Sequence, residues 1–331
     1  MCSGGTILMT AWLLIFGAAA SSHGASPVLE DTRIAGKDYV RLSDWARSHQ
    51  FTMKWVKPGE ALELGNTGIR ISLQIHSPEA EINGVEVRLL FPLVQKDEAV
   101  WISAADTRTT FEPVLSPPKL RRAPLRSICL DPGHGGKDPG FQVGSNQEKK
   151  FALLLAQELQ SQLKRAGWKV NLTRTRDSFI DLPERPVIAH RRSSDLFVSL
   201  HFNSTGSSSG SVKGAEVYCL TPAGAPSTNA GGELAGAGTY TGNRNNDENM
   251  FLAYQLQKVL TRKLGAEDRG VHRARFWVLR DAPMPAILIE AGFLSHPVEG
   301  RKITTADYRK QVASAIVEGL GAYKHAVERK L

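Results

Sequence analysis

Apolar and polar positions along the chain follow two different rhythms. From residue 28 to about 115, short β-like runs alternate with turns: Tyr39-Val40-Arg41-Leu42, Ile69-Arg70-Ile71-Ser72-Leu73 and Val85-Glu86-Val87-Arg88-Leu89-Leu90. Asn83-Gly84 is a tight-turn signal just ahead of the third run. A short helix is predicted over Leu42 to His49. Residues 28–115 therefore read as a small β-rich domain. The stretch Ser116-Pro117-Pro118-Lys119-Leu120-Arg121-Arg122-Ala123-Pro124 follows, and its prolines and basic residues make 116–125 the natural linker.

Beyond the linker, strands and helices alternate. Ser127-Ile128-Cys129-Leu130 is a short buried-type strand. Glu148 to Ala166 is predicted helical, because Phe151, Leu154, Leu155, Leu159 and Leu163 fall on one face, and Gly167 ends it. Strands are predicted over Trp168 to Thr173, Asp195 to Phe202, Ala215 to Leu220 and Ala286 to Glu290. Helices are predicted over Pro183 to Arg192, Asn249 to Leu264 and Thr305 to Lys324. Such alternation predicts an α/β domain over 126–325: a mostly parallel twisted sheet, helices on both faces, phosphorylase/hydrolase-like, preceded by the small β-rich domain. Ala223 to Asn249, rich in Gly, Ala, Ser, Thr and Asn, reads as a long surface loop. The chain carries no internal repeat.

Length and composition fit this division. The 331 residues suggest two folded units, and 41% hydrophobic with 22% charged residues is ordinary globular composition. Ile7 to Ala20 is an apolar run too short for a comfortable membrane span, and it closes on small residues, Ala18, Ala19, Ala20, Ser21 and Ser22. This is the pattern of a secretory signal peptide over residues 1–25, cleaved after Ala20 or Ala25, although no Lys or Arg precedes the run. The alternative is a retained N-terminal anchor. The net charge is +8. A basic protein suits nucleic acid, anionic membranes or an anionic wall polymer. Export to the periplasm or cell envelope argues against nucleic acid. The basic residues are also scattered, apart from Lys119, Arg121, Arg122 and Arg126. Cleavage would leave Cys129 and Cys219, which read as two buried thiols rather than a disulfide.

Four polar residues stand at the ends of predicted elements. His134 lies in Asp131-Pro132-Gly133-His134-Gly135-Gly136, directly after the first strand. His201 ends the strand Leu196-Phe197-Val198-Ser199-Leu200. Glu148 opens a helix, and Glu290 ends the strand Ala286-Ile287-Leu288-Ile289. In such sheets functional groups gather at strand ends. Two His and one carboxylate are a common catalytic zinc set with water in the fourth position. Glycines around His134 let the backbone turn tightly. Glu290 has an apolar approach, and partial desolvation would raise its pKa and suit a general base. Singly, each residue has a plainer reading: a loop histidine, a bonded strand-end histidine, a capping carboxylate, a paired structural carboxylate. Gly206-Ser207-Ser208-Ser209-Gly210 matches G-x-S-x-G, but it lies in a Ser/Gly-rich loop and not between a strand and a helix. There is no H-E-x-x-H and no C-x-x-C.

Over residues 126–325 the sequence resembles the zinc-dependent N-acetylmuramoyl-L-alanine amidases of the large bacterial type (type 3). The likeness is carried by ICLDPGHGGKDPG at 128–140, EKKFALLLAQEL at 148–159, LTRTRD at 172–177, LPERPVIAH at 182–190, SDLFVSLHFNS at 194–204, GAEVYCL at 214–220 and PAILIEAGFLSHPVEGRKI at 285–303. It implies one zinc per chain on His134, Glu148 and His201, with Glu290 as catalytic general base. The implied substrate is peptidoglycan, cut between N-acetylmuramic acid and the L-alanine of the stem peptide. Some members carry an inhibitory helix before their last third. Ala223 to Asn249 predicts no strong helix there, and hence no control of that form. GKDYVRLSDWARSHQFTMKW and AEINGVEVRLLFPLVQKDEAVWISA resemble the β-rich module found at the N-terminus of copper amine oxidases, which implies a wall-facing or spacer domain without copper chemistry. The rival readings are a zinc carboxypeptidase or endopeptidase acting on the stem peptide, and a non-catalytic wall-binding module. Neither a protein activator nor an oligomeric state is legible in the residues.

Overall fold

The computed structural model describes residues 1, 29–119, 124–205, 210–229 and 238–329. The expected signal peptide, the basic stretch 120–123 and the Gly206–Ser209 part of the G-x-S-x-G run lie outside the described residues. No helix among the described residues is long and apolar enough to cross a membrane.

The N-terminal unit holds nine strands: β1 (Asp31–Ile34), β2 (Lys37–Arg41), β3 (Thr52–Lys57), β4 (Ala61–Gly65), β5 (Arg70–Gln74), β6 (Glu79–Ile82), β7 (Val85–Arg88), β8 (Val94–Lys96) and β9 (Ala99–Ser103). The expected helix is α1 (Leu42–Ser48), and Ala104–Asp106 (α2), a π-turn over Thr107–Phe111 and Glu112–Leu115 (α3) close the unit. Asn83 and Gly84 both take positive φ, so Asn-Gly makes the β6–β7 turn that the sequence signals.

The second part contains β10 (Ser127–Pro132), a minimal hairpin β11–β12 (Gln142–Val143, Asn146–Gln147), α4 (Glu148–Arg165), β13 (Lys169–Leu172), α5 (Glu184–Arg191), β14 (Leu196–Asn203) and β15 (Ala215–Leu220). It continues with α6 (Asn246–Leu264), β16 (Asp268–Ala274), α7 (Trp277–Arg280), β17 (Ala286–Phe293), α8 (Pro297–Ile303) and α9 (Ala306–Glu328). Of the expected surface loop at 223–249, residues 230–237 lie outside the described residues, and a 3-10 turn over Thr241–Asn245 leads into α6. Cys129 and Cys219 are free and buried, as expected.

The large sheet corrects one expectation. Its order is β13-β10-β14-β17-β15-β16-β7-β6-β5-β4-β3, eleven strands in all. Five neighbour pairs run parallel and five antiparallel, so the sheet is mixed and not mostly parallel. Two causes are visible. Among the described residues between β14 and β15 there is no helix to bring the chain back for a parallel return, and β15 pairs antiparallel with β17. The N-terminal strands β3–β7, a hairpin meander, continue the same sheet through Val87, which pairs with Val271 of β16.

Helices cover both faces, but unequally. One face carries alternate residues such as Val198, Leu200, Ile287 and Ile289, packed with the apolar sides of α4, α6 and α9. Fully burying each such side chain is worth roughly 1.5–3 kcal/mol. The other face presents Phe197, Tyr218, Leu288 and Ala286, and among the described helices the short α5 and α7 reach it, through Ala189, Val278 and Leu279. Between those two short helices the sheet is left open.

Candidate metal centre and active site

Strand alternation and register set up the site. His201 and Glu290 fall on the thinly covered face, because Phe197 and Leu288 lie there and side chains on one face recur every second residue. His201 pairs with Glu290 across β14 and β17, and Glu290 pairs with Glu216 across β17 and β15. A row His201–Glu290–Glu216 therefore crosses three neighbouring strands. Both His201 and Glu290 sit inside eight-residue strands, short of the ends at which the sequence reading placed them.

His134 comes from the loop after β10, and Glu148 from the first turn of α4, where the sequence placed it. The imidazole nitrogens Nε2 of His134 and Nδ1 of His201 approach one oxygen, Oε1 of Glu148, at 3.0 and 2.9 Å. The ligand atoms of these three residues all lie within 4.8 Å of one another, a group able to hold a metal ion. Donors spaced tetrahedrally around zinc at about 2.0–2.1 Å lie roughly 3.3 Å apart, close to the two distances from the imidazole nitrogens to Glu148 Oε1. His134 Nδ1 faces Asp138 Oδ2 at 2.8 Å. That partner fixes the tautomer and leaves Nε2 as the ligand atom. The second oxygen of Glu148 accepts the Phe141 amide at 3.0 Å.

Glycine is required at two points of close approach. A Cβ on Gly133 would come within 2.3 Å of the His201 ring. A Cβ on Gly140 would lie 2.6 Å from both Glu148 Oε2 and His134 Cδ2, and Gly140 also has φ +63°.

The electrostatics divide the carboxylates. Burial alone would raise the Glu148 pKa, but the hydrogen bonds and positive character of His134 and His201 outweigh it and hold Glu148 well below the usual carboxylate range. Burial alone would lower His134, and the bond and charge of Glu148, with Asp138, raise it instead. Glu290 moves the other way: burial, then the charges of Glu148 and Glu216, push it well above its ordinary value. Its Oε2 is buried without a hydrogen-bond partner among the described residues.

The open part of the sheet face forms a cleft of about 460 Å³ that contains His134, Glu148, His201 and Glu290 together. Its walls include Leu182 on one side and Phe276 and Trp277 on the other, and Trp277 is 50% exposed with the Arg280 guanidinium 4.3 Å from its ring centroid. These wall residues, and Glu216 beside Glu290, were missed in the sequence. The only local signal was GAEVYCL, where Glu216 alternates with apolar residues that mark the other face.

Residues 128–322 match the family model described as N-acetylmuramoyl-L-alanine amidase (Amidase_3). The chain belongs to this family. Amidase relatives bear it out. N-acetylmuramoyl-L-alanine amidase AmiC of Neisseria meningitidis is 37% identical over 218 residues, 59% of this chain and 52% of that protein. AmiA of Escherichia coli is 32% identical over 235 residues, 63% of this chain and 80% of that protein. The chain thus spans about half the length of the Neisseria amidase. Among solved structures, an N-acetylmuramoyl-L-alanine amidase from Clostridium difficile 630 superposes with a TM-score of 0.50 at 31% identity, covering 61% of this chain and 97% of that one. The matched part is the α/β unit that holds β10 and β13–β17 of the large sheet; the N-terminal unit, with β3–β7, lies outside the amidase match.

Proposed function

We propose that this protein is a zinc-dependent peptidoglycan amidase that hydrolyses the bond between the lactyl carbonyl of N-acetylmuramic acid and the L-alanine of the stem peptide. The observation that carries the reading is the convergence of two imidazole nitrogens and one carboxylate oxygen beside Glu290 on the next strand, a half-buried carboxylate whose Oε2 is buried without a partner among the described residues. His134 Nε2, His201 Nδ1 and Glu148 Oε1 would hold one zinc ion. Bound zinc supplies Lewis acidity, polarising the scissile carbonyl and lowering the pKa of water towards ~7.

The chain's own residues do the rest. Glu290 accepts a proton from the attacking water. Its raised proton affinity makes it a stronger base than an ordinary carboxylate. The C–N bond then breaks as Glu290 returns that proton to the leaving L-alanine nitrogen. Leu182, Phe276 and Trp277 wall the cleft and narrow the access of bulk water. The N-terminal apolar run supports export to the periplasm or cell envelope, and the N-terminal unit is a wall-facing or spacer element of the same enzyme.

Digestion of isolated peptidoglycan, read by mass spectrometry, tests the reaction. Free stem peptides beginning with L-alanine, beside peptide-free glycan, are the expected products. Cleavage confined to peptide bonds of the stem would replace this reading with a carboxypeptidase or endopeptidase. Binding without any product would make the chain a wall-binding module.

A further inference from the structure

Beneath the metal-site loop lie two buried arginines that the proposed reaction does not use. Arg185 is 1% exposed and pairs with Asp131, which is fully buried, at 3.0 Å. Asp131 also accepts Thr173 Oγ1 at 2.6 Å and Ser199 Oγ at 2.8 Å. The remaining Arg185 donors turn to backbone: Nη1 to Pro132 O at 3.0 Å, and Nη2 to His134 O at 2.9 Å and Ile180 O at 3.1 Å. Arg174, 2% exposed, donates Nε to Pro132 O at 3.0 Å. Its Nη2 donates both to Gly133 O at 2.7 Å and to Lys149 O at 2.8 Å.

The two guanidinium groups thus take every carbonyl of Pro132, Gly133 and His134. That stretch is intrinsically unfavourable. His134 has φ +60°, the left-handed region, which costs a side-chain-bearing residue conformational energy. Gly135 and Gly136 also take positive φ, so sequence alone leaves the loop a wide choice of shapes. Arg174 does one thing more. By bonding Gly133 O and Lys149 O with one nitrogen, it ties the loop bearing His134 to the first turn of α4, which bears Glu148. Lys149 reinforces the tie, donating Nζ to Gly136 O at 2.7 Å.

We infer that Arg174 and Arg185 are positioning residues for the metal site: they fix the His134 backbone, and its distance from Glu148, before any ion arrives. The inference rests on the reading that His134, Glu148 and His201 bind a metal. The fork geometry is essential to it. A lysine keeps the charge beside Asp131 but presents its donors from one point and cannot span two or three carbonyls.

The test uses the full chain, stripped of metal, with zinc affinity measured by competition against a chromophoric chelator. Arg174→Lys and Arg185→Lys should each bind zinc about 10–100-fold more weakly, the usual loss when an outer partner of a ligand is removed. Their cobalt-substituted forms should show altered d–d absorption, which reports ligand geometry. A remote core variant, Leu320→Ala in α9, should lower the melting temperature and leave zinc affinity unchanged, separating position from stability. Arg174 makes no ion pair in the site, so Arg174→Lys decides the matter if Arg185→Lys does not fold. Folded Arg174→Lys protein with wild-type zinc affinity and an unchanged cobalt spectrum would overturn the inference. Wild-type protein that binds no zinc would instead overturn the metal reading on which it stands.

Discussion

Glu216 and Glu290 stand directly opposite one another on antiparallel strands, two carboxylates in one cross-strand pair. Like charges so placed repel. The structure relieves only one of them. Glu216 Oε1 accepts the Asn203 amide and the Tyr218 hydroxyl, the latter at 2.9 Å, and its Oε2 accepts Arg269 Nε at 3.2 Å. Glu290 Oε2 has no such partner. The strain of the pair therefore falls on Glu290, the group proposed to take and release a proton.

Glu290→Gln keeps size and hydrogen bonding but removes the proton acceptor. Turnover should fall by roughly 10²–10⁴-fold, the usual worth of general acid–base help. Zinc stoichiometry should stay at one per chain. Loss of zinc together with activity would make Glu290 a ligand. Full zinc with near wild-type turnover would refute its role altogether.

Glu216→Gln should move the acid limb of kcat/KM to lower pH. The charge of Glu216 raises the Glu290 pKa, so removing it lets Glu290 ionise earlier. A pH–rate profile on a soluble muropeptide checks the direction. An acid limb that stays put or moves up would contradict the coupling.

The same pair predicts a pH dependence of stability in the metal-free chain. A group whose folded-state pKa lies above its unfolded value stabilises the fold at low pH. For Glu290 that stability is lost as pH rises from about 4.5 through the raised folded-state value. Melting temperature of chelated wild type should therefore decline across that window. In chelated Glu290→Gln the decline should be smaller, and equal slopes for the two proteins would be evidence against it.

Removing the metal should also lower the melting temperature at fixed pH. At a zinc concentration of 100 times Kd, binding adds about 2.7 kcal/mol to stability. Glu148→Gln should lose most of that increment, because the carboxylate supplies both a ligand atom and charge. Calorimetry with and without zinc on wild type and variant reads the difference directly.

None of the described residues of the N-terminal unit lines the cleft, yet the unit shares the sheet and the core. Glu86 N donates to Asp268 Oδ2 at 3.0 Å, Tyr254 hydroxyl to Ile82 O at 3.1 Å, and Arg273 to the carbonyl of Thr109. A chain beginning at Pro124 would expose the edge of β16, an invitation to aggregation. We expect such a chain to melt lower and associate, while its folded fraction still cuts a small muropeptide. A truncated chain that matches the full one in melting temperature and stays monodisperse would make the unit an independent appendage.

Much of this was written locally. The helix α4 follows from its apolar stripe, and Glu148 opens it in the structure as in the sequence. His134 is marked by its glycines, and the strands bearing His201 and Glu290 by continuous apolar runs, because buried strands and amphipathic helices answer to short-range periodicity. What eluded the sequence is non-local. Asp268–Ala274 carries Asp268, Arg269, His272 and Arg273, yet it is β16, with Arg273 and His272 reaching the backbone carbonyls of Thr109 and Arg269. That strand carries the sheet into the N-terminal unit and makes it mixed. The pairing of Glu216 with Glu290, the grip of Arg174 and Arg185 on the His134 loop, and the open face between α5 and α7 likewise exist only once distant segments meet. Residue types and local periods picked out the candidate groups. Strand register and the unequal covering of the two sheet faces decided where they meet and which carboxylate is left without a partner among the described residues.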